Sequence, residues 1–469
     1  MRYRWRLPRW RRLAGSSGLA GRLTADPGRS GATSEWRNWQ TRQLKELVPE
    51  RAWGFKSPLR HHENPYLVGV LGASGTALEG VWKESVLQSV PVTSHPWEGR
   101  GTPHDRQPAV DSNSWRGKTL DSCLEGKFVE MHEFLRRIPK VSLHCHLEGS
   151  IQPETVIDLS VKHGIELPDY DEPGDLYDYP DIYEFLKMYD VAAHSVRDHD
   201  DFRRVTYETL QEAADHSVRY REMFWSPMAH MESGVEYGTA VDGIIQGMQD
   251  AETDFGIQCR LIADINRMDT AEHGYEMVSI ITDNPRAELI GIGLDYAEAG
   301  NPPEKFEAAF QLAGQNGLHR TAHCAEDGPA ANITTALDLL KCERIDHGYH
   351  ILGDDAVVQR CVEDEVVFTC TPVSTEWVYF GNGMANHPIK EMATRGLKIM
   401  LDCDDPPMFK TDPTNDYIEA ADHMGFDSED FKRFVLNGID GCWIDDTTRK
   451  QWRQSFGAEI DELTAQLAD

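Results

Sequence analysis

The feature that most restricts the fold of this chain is an alternation of short apolar segments with amphipathic helical segments, which begins at Lys140. Such an alternation is typical of repeated βα units that build a parallel sheet. Helical segments include Asp181 to Val191 and Pro303 to Asn316, and residues 412–469 are expected to form acidic, solvent-facing closing helices and loops. The predicted strands are 140–146, 219–225, 258–265, 288–295, 319–323, 344–348, 366–371 and 397–403. Eight parallel strands predict an α/β protein with a closed (β/α)8 barrel of the TIM type.

Polar residues cluster where these predicted strands end. In a barrel of this type the active site lies at the C-terminal ends of the strands, because the loops that follow them surround one mouth. We therefore expect the side chains to meet there. The residues are His144, His146, Asp295, His323, Glu326, Asp346, His347, Asp404 and Asp405.

The pair His144 and His146 indicates a metal site. Because these two residues are two positions apart in a predicted strand, both side chains point to the same face and can bind one ion. A single histidine would more often be a packed core residue, but His323 and Asp404, at later strand ends, complete a set of three histidines and one aspartate. Three imidazoles favour zinc, one ion per chain, although iron, cobalt or manganese fit the same donors.

With these residues placed, the segment from Lys140 to Pro407 resembles the adenosine and adenine deaminase family of the amidohydrolase superfamily. The resemblance implies a zinc-dependent hydrolytic deaminase of small-molecule 6-aminopurines, which releases ammonia and gives hypoxanthine or inosine. Five blocks carry it, in this order: Pro139-Lys140-Val141-Ser142-Leu143-His144-Cys145-His146-Leu147-Glu148-Gly149-Ser150, Gly293-Leu294-Asp295, Thr321-Ala322-His323-Cys324-Ala325-Glu326, Arg344-Ile345-Asp346-His347-Gly348 and Leu401-Asp402-Cys403-Asp404-Asp405-Pro406.

The resemblance also implies a role for each polar residue. The metal ligands would be His144, His146, His323 and Asp404, and His146 would also face the substrate. Glu326 would protonate N1 of the purine as a general acid, a task that needs a raised pKa. His347 would orient the attacking water, and Asp405 would contact N7. Other readings are a helix-start residue for Glu326, a backbone-bonded buried histidine for His347 and an acidic turn for Asp405.

Two glutamates favour a free base over a nucleoside. In Asp295-Tyr296-Ala297-Glu298-Ala299-Gly300-Asn301-Pro302-Pro303, Glu298 stands where nucleoside deaminases of the family usually carry glycine, and its carboxylate could accept the N9–H that a nucleoside lacks. Glu148 replaces an aspartate that reaches a ribose hydroxyl in nucleoside deaminases. Both glutamates could instead be structural, salt-bridged residues. Adenine is therefore the favoured substrate and adenosine the next.

Departures from the family pattern leave other functions open. Ala325 replaces the usual glycine of the third block with a residue that restricts the backbone. Such changes suggest a reshaped pocket, so the substrate could be another aminated heterocycle such as an aminopterin. A non-catalytic zinc-binding barrel would be expected to have lost Glu326, His347 or Asp405, which are all present. Amide or ester hydrolysis commonly uses a carboxylated lysine between two metals, and no lysine ends a predicted strand.

Composition bears on partners and compartment. A formal net charge of −31 argues against a nucleic-acid partner. No stretch approaches the roughly 20 consecutive apolar residues of a membrane helix, so no membrane association is expected. The nine cysteines include no Cys-x-x-Cys pair, which fits a reducing compartment and predicts a cytoplasmic protein.

The chain changes character near residue 130. Residues 1–130 carry 20 Lys and Arg against 13 Asp and Glu, whereas residues 131–469 carry 27 against 65. The first part has no sustained apolar period and is predicted to be a disordered extension, with the deaminase barrel in 131–469. Because segments such as 34–42 and 50–60 look like a mistranslated transfer-RNA gene, we hypothesise that the true start lies near Met131. The alternative is a genuine disordered extension.

Overall fold

The computed structural model describes residues 130–467. The predictions for the extension, its disorder and its possible mistranslated origin, lie outside the described residues. Within the described range, the chain begins with helix α1 (Met131–Arg137), which leads directly into the first strand.

The strands form the wall of a barrel in which every pairing is parallel. The α/β barrel prediction is confirmed, and each predicted strand has its counterpart. The strands are β1 (Lys140–Ser142), β2 (Val218–Trp225), β3 (Gln258–Asn266), β4 (Leu289–Asp295), β5 (His319–Arg320), β6 (His323–Cys324), β7 (Ile345–His347), β8 (Val367–Cys370) and β9 (Lys398–Leu401).

The single strand predicted over 319–323 is divided into β5 and β6. β5 pairs with β4, whereas β6 pairs with β7, so this one stretch of chain joins the sheet β1-β2-β3-β4-β5 to the sheet β6-β7-β8-β9. Between the two segments, the Thr321 amide donates to the Ile292 carbonyl (3.1 Å) and the Ala322 carbonyl accepts from the Asp346 amide (3.0 Å). Hydrogen bonding to both neighbours therefore continues across the break.

The barrel closes between its first and last strands, just beyond their regular ends. The Asp404 amide donates to the His144 carbonyl and the His146 amide donates to the Asp404 carbonyl, both at 3.1 Å. Closure of the barrel and the placement of three predicted metal ligands thus depend on the same pair of backbone hydrogen bonds.

Helices cover the outside of the barrel. They are α2 (Pro153–His163), α3 (Ile182–Ser195), α4 (His199–Asp215), α5 (Pro227–Glu232), α6 (Tyr237–Phe255), α7 (Ala271–Asp283), α8 (Glu307–Gln315), α9 (Ala331–Thr335), α10 (Asp355–Glu363), α11 (Pro372–Thr375), α12 (Ile389–Thr394), α13 (Asn415–Met424), α14 (Ser428–Gly441) and α15 (Asp446–Thr464). α9 and α11 each continue as a π-helical turn, over Ala336–Leu340 and Glu376–Phe380.

The two helices predicted in detail are present with shifted boundaries. α3 begins after Asp181, whose side chain accepts hydrogen bonds from the amides of Tyr183 and Glu184 and so caps the helix. The helix predicted from Pro303 is divided, because Phe306 leaves the helical region of backbone conformation (φ −105°, ψ 14°). A 3₁₀ turn over Pro303–Phe306 therefore precedes α8.

The closing helices α13 to α15 are less solvent-facing than predicted. Phe431, Phe434, Val435 and Ile439 of α14 are buried. Close packing brings Gly438 so near the barrel that a Cβ there would lie 2.7 Å from Val141 Cγ2 on β1. The outer face of α14 carries charged side chains of both signs, such as Glu429 and Arg433, whereas its apolar face covers the strands, as in an amphipathic helix.

Two further features concern the described residues as a whole. No helix within 130–467 combines the length and the apolar character needed to cross a bilayer. Eight cysteines lie in this range, and all are buried free thiols.

Candidate active site

Four residues at the C-terminal mouth of the barrel adopt left-handed backbone conformations. The φ angles are 65° at Tyr296, 54° at Ala325, 68° at His347 and 61° at Asp404. Residues with a Cβ rarely adopt this conformation, and such positions cluster at functional sites where surrounding contacts hold them. Each lies where a strand has just ended or ends, so the chain turns sharply at the mouth instead of continuing along the barrel axis.

The predicted ligands His144, His146, His323 and Asp404 come together as one buried cluster, with their ligand atoms within 4.8 Å of one another. His146 Nε2 lies 3.2 Å from His323 Nε2, and Asp404 Oδ1 lies 3.4 Å from His144 Nε2. Neighbouring nitrogens at this spacing repel if both carry lone pairs or both carry protons. The donor set of three imidazole nitrogens and one carboxylate oxygen fits a divalent metal ion of the zinc type.

The electrostatics of the cluster suit a cation. Burial alone would raise the pKa of Asp404, but the rings of His144, His347 and His146 hold it well below its usual value. Burial, together with the charge of His144, lowers the pKa of His323 well below its usual value. Burial would lower the pKa of His144, but the Asp404 carboxylate raises it to about 9, so a bound metal ion would take the place of the proton on this imidazole.

A second layer of polar residues orients the ligands. His144 Nδ1 lies 2.8 Å from Thr369 Oγ1, and that hydroxyl donates to Asp346 Oδ1, also at 2.8 Å. The hydroxyl must therefore accept a hydrogen bond from Nδ1–H of His144, which leaves Nε2 of this ring free to bind a metal. Ser374 Oγ donates to Asp404 Oδ2 at 2.6 Å and fixes the ligand carboxylate.

Asp402 is a positioning residue to which the sequence analysis gave no role. Its Oδ2 accepts hydrogen bonds from the amides of Leu143 (2.5 Å) and His144 (2.8 Å), and its Oδ1 accepts one from Ser142 Oγ (3.0 Å). It thereby ties the end of β1 to the end of β9. Its place two residues before Asp404 in the final block is the one sequence signal that could have indicated it.

Glu326 and His347 adjoin the metal cluster. Glu326 Oε1 lies 3.4 Å from His347 Nε2, and both residues line a cavity at the mouth. Burial, with the negative charges of Asp404 and Glu298, raises the pKa of Glu326 well above its usual value. A carboxyl that keeps its proton at neutral pH can act as a general acid.

Asp405 also lines this cavity and is buried. Its Oδ1 has no hydrogen-bond partner among the described residues, and burial with the charge of Asp404 raises its pKa well above the usual value. Gly149 makes room for the carboxyl, because a Cβ at this glycine would lie 1.6 Å from Asp405 Oδ1. The glycine of the first sequence block is thus required by the aspartate of the last.

Aromatic side chains complete the cavity walls. Flat aromatic walls with a few polar groups at one end suit a planar heterocycle. The aromatic lining consists of Phe185, Tyr189, Tyr296, Tyr379 and Phe409.

The surroundings of Glu298, for which a substrate contact is predicted, consist of protein donors. Glu298 is buried outside the cavity lining, and its carboxylate accepts hydrogen bonds from the amides of Ala325, Glu326 and Gly328 at 2.9 to 3.0 Å. The side chain of Asn332 donates a fourth at 2.6 Å. Both oxygens accept hydrogen bonds from the loop that carries Glu326, which favours the alternative of a structural role, through backbone amides instead of a salt bridge.

The carboxylate of Glu148 is likewise surrounded by protein groups. Its Oε1 accepts from the Ser226 amide (3.0 Å) and lies 2.8 Å from His230 Nε2, and its Oε2 accepts from the Tyr189 hydroxyl (3.1 Å). The carboxylate is buried and does not line the cavity. Its contact with the mouth is indirect, since Tyr189 is one of the cavity walls.

A parallel barrel whose mouth joins three histidines and an aspartate to a proton-holding glutamate defines a class, the metal-dependent hydrolases of the amidohydrolase superfamily. The comparisons with known proteins agree. The adenosine deaminase family model matches residues 139–457. The chain is 33% identical over 339 residues to the adenine deaminase of Vibrio parahaemolyticus, an alignment that covers 72% of this chain and 99% of that protein.

Solved structures extend the comparison. The adenine deaminase of Arthrobacter aurescens is 34% identical, with a TM-score of 0.66, and 69% of this chain covers 99% of it. An amidohydrolase of Burkholderia ambifaria, solved with bound zinc, is 35% identical, with a TM-score of 0.68, and 73% of this chain covers 97% of it. The chain belongs to the adenosine deaminase family. It is a hydrolase that deaminates a cyclic amidine by cleaving a C–N bond.

Proposed function

We propose that this protein is a zinc-dependent deaminase of 6-aminopurines that prefers adenine, with adenosine the next best substrate. The observation that carries the proposal is the convergence of the four ligand side chains with Glu326, His347 and Asp405 on one aromatic-walled cavity. Relatives at 31% to 34% identity are named adenine deaminases. The preference for a free base now rests on these relatives, because the carboxylates of Glu298 and Glu148 are bonded to protein groups.

Each residue at the mouth has a task in this reaction. When bound, the metal ion supplies a Lewis acid that makes a nearby water easier to deprotonate. Glu326 donates a proton to N1 of the ring, which makes C6 open to attack. His347 orients the attacking water, and Asp405, protonated because of its raised pKa, donates a hydrogen bond to N7. The water oxygen replaces the C6 amino nitrogen, which leaves as ammonia.

Zinc is favoured for the metal site by its donor set of His144, His146, His323 and Asp404. The zinc-bound neighbour supports the same choice. Elemental analysis of the purified protein is expected to find one zinc ion per chain. A His323→Ala variant should lose the ion while Thr394→Ala, an exposed control on α12, should keep it. Purification with iron or manganese as the main ion would assign the site to that metal.

The substrate is tested by following ammonia release from adenine, adenosine, deoxyadenosine and a panel of aminopterins. We expect kcat/KM to be highest for adenine. A much higher value for adenosine would overturn the preference for the free base, and turnover confined to an aminopterin would overturn the purine assignment. Glu326→Gln, which keeps the shape of the side chain, should bind the purine without releasing ammonia.

We also propose that the deaminase domain comprises residues 131–469. The family match begins at residue 139, and α1 directly precedes β1. Buried Lys140 ties the two together, since its ammonium donates to the carbonyls of Leu135 (2.6 Å) and Ile138 (3.3 Å). Expression of 131–469 alone is expected to give the same kcat and the same thermal unfolding transition as the 469-residue chain. A lower kcat, or the loss of the unfolding transition, in 131–469 would mean that part of the extension belongs to the domain.

A further inference from the structure

A second cavity, of about 100 Å³, lies over the C-terminal ends of β2 and β3. Tyr296 lines both this cavity and the candidate active site, so the two are neighbours. Four carboxylates line the second cavity, and no lysine or arginine in the described part of the chain does so. They belong to Asp190, Glu232, Asp264 and Asp269.

Asp264 is the residue that makes this cavity more than an acidic surface. It is 1% exposed, and neither of its oxygens has a hydrogen-bond partner among residues 130–467. His146 Nδ1 lies 3.5 Å from Oδ2, beyond the range of a normal hydrogen bond. Asp295, also buried, places a second carboxyl group beside it. A buried carboxylate without donors is costly, and a cation in the cavity would offset that cost.

The other carboxylates are held in place by neighbouring side chains. Asp190 Oδ1 accepts a hydrogen bond of 3.0 Å from the Tyr296 hydroxyl, on the wall shared by the two cavities. Asp269 Oδ2 lies 3.0 Å from His273 Nδ1, and the other ring nitrogen of His273 lies 3.6 Å from Glu232. The rim of the cavity is therefore arranged before any ligand arrives.

We propose that this cavity binds a small cation, and that the cation is the ammonium released by the reaction. The inference rests on the proposed deaminase function. When the water oxygen bonds to C6 and the C6–N bond breaks, ammonia leaves and takes one proton from solvent to become ammonium. Ammonium has four donors and no acceptor. The cavity offers it carboxylate oxygens, the amide oxygen of Asn266 and the hydroxyl of Ser226, on the far side of Tyr296 from the purine.

The first test is product inhibition of purine turnover, followed by absorbance with ammonium chloride added and sodium chloride as the ionic-strength control. Asp269→Asn is expected to raise the ammonium inhibition constant about tenfold, as the loss of one charge-assisted contact implies. Its turnover without added ammonium should be unchanged. Asp283→Asn, on the exposed end of α7, should change neither quantity. Equal inhibition of wild type and Asp269→Asn, or no inhibition, overturns the proposal.

The second test does not depend on turnover. In crystals of the full chain soaked with thallous acetate, an anomalous peak is expected beside Asp264 and Asp269, and ammonium should displace it. Thallous ions found only elsewhere overturn the proposal. A manganese peak at Glu232 and His273 that ammonium leaves in place assigns a divalent-metal site and overturns the ammonium assignment. Displaceable thallous binding in a protein that deaminates no purine would reject the proposed function and retain the cation site.

Discussion

Two buried carboxyl groups at the mouth of the barrel have pKa values that are shifted in opposite directions. Asp404 lies among imidazole rings, and their charge overcomes the effect of burial and keeps its pKa low. Glu326 is buried near the negative charges of Asp404 and Glu298, and its pKa is high. Environments that separate the pKa values of neighbouring acids assign one as ligand or base and the other as acid. In the proposed mechanism, this separation lets Asp404 bind the metal ion while Glu326 donates a proton.

Replacement of Glu326 by glutamine removes the proton donor and keeps the side-chain shape. We expect kcat to fall between about 10² and 10⁴-fold, the usual contribution of general acid catalysis. In the wild type, Glu326 must be protonated to act, so kcat/KM is expected to fall as pH rises through its raised pKa. A pH profile of kcat/KM from pH 5 to 10 measures this alkaline limb. An alkaline limb that persists in any residual activity of the variant would assign the limb to another group.

Glu298 is expected to act through Glu326. Glu298→Gln removes a negative charge that raises the Glu326 pKa and leaves an amide nitrogen facing backbone donors, so the alkaline limb should move to lower pH and kcat should fall more than KM changes. Glu298→Asp keeps the charge and should restore part of the loss. The matched control is Glu307→Gln, at the start of α8, which should leave the profile in place. A large rise in KM for the base alone would indicate direct contact with the substrate.

Gly149→Ala tests the need for space beside Asp405. The added Cβ would overlap Asp405 Oδ1 and displace the carboxyl. A displacement of about 1 Å at a reacting site costs on the order of 10²-fold in rate, and we expect kcat/KM to fall by that amount. Gly238→Ala, where a Cβ meets open space, serves as the control. Wild-type kinetics in Gly149→Ala would show that the precise position of Asp405 is unimportant.

At the scale of single elements, the short strands end in turns that aim the side chains. β7 and β9 have only three and four residues, and His347 and Asp404 then take left-handed backbone conformations. Hydrogen bonds from distant positions hold these turns, as when Asp402 receives the amides at the end of β1. The barrel fixes the position of each strand end, and the left-handed residue there sets the direction in which the side chain points.

α3 connects helix stability to substrate binding because it carries Phe185 and Tyr189 of the cavity wall. Asp181→Ala removes its N-cap and is expected to lower the free energy of unfolding by about 1 kcal/mol. Loosening of this wall should also raise KM. Asp445→Ala removes the equivalent cap of α15, away from the mouth, and should lower stability with KM unchanged. Denaturant unfolding and steady-state kinetics of both variants distinguish the two effects.

At the scale of the whole molecule, the four candidate metal ligands come from both sheets of the barrel. His144 and His146 follow β1, His323 begins β6 and Asp404 follows β9, so an ion there connects both sheets of the barrel. Folding energy and metal affinity are linked in such a site.

Removal of the metal is therefore expected to lower the melting temperature of the whole domain. At a free metal concentration one hundred times the Kd, binding contributes about 2.7 kcal/mol to stability. Calorimetry of the protein with and without a chelator measures the shift, and added zinc should restore it. A melting temperature that does not respond to the chelator, while elemental analysis confirms loss of the ion, would mean that the ligands are held without it.

The sequence determined the barrel and was sufficient to predict four residues that cluster at its mouth. β1 ends at Ser142, so His144 and His146 lie just beyond this strand, but parallel strands still bring them, His323 and Asp404 to the same mouth. These are local patterns repeated along the chain. The residues that orient the ligands, Thr369 and Ser374, carry no such pattern, because ordinary hydroxyls acquire a role only from what they contact.

Only the tertiary structure shows which groups the carboxylates of Glu298 and Glu148 contact. Their partners lie 27 to 34 and 41 to 82 residues away, and no spacing rule connects a carboxylate to amides or rings at those distances. Both carboxylates lie against donors that satisfy them, and an unpaired buried carboxylate would be costly. The type and position of both glutamates indicated a role near the mouth. The fold places each carboxylate outside the cavity lining, where it bonds to residues that form the mouth.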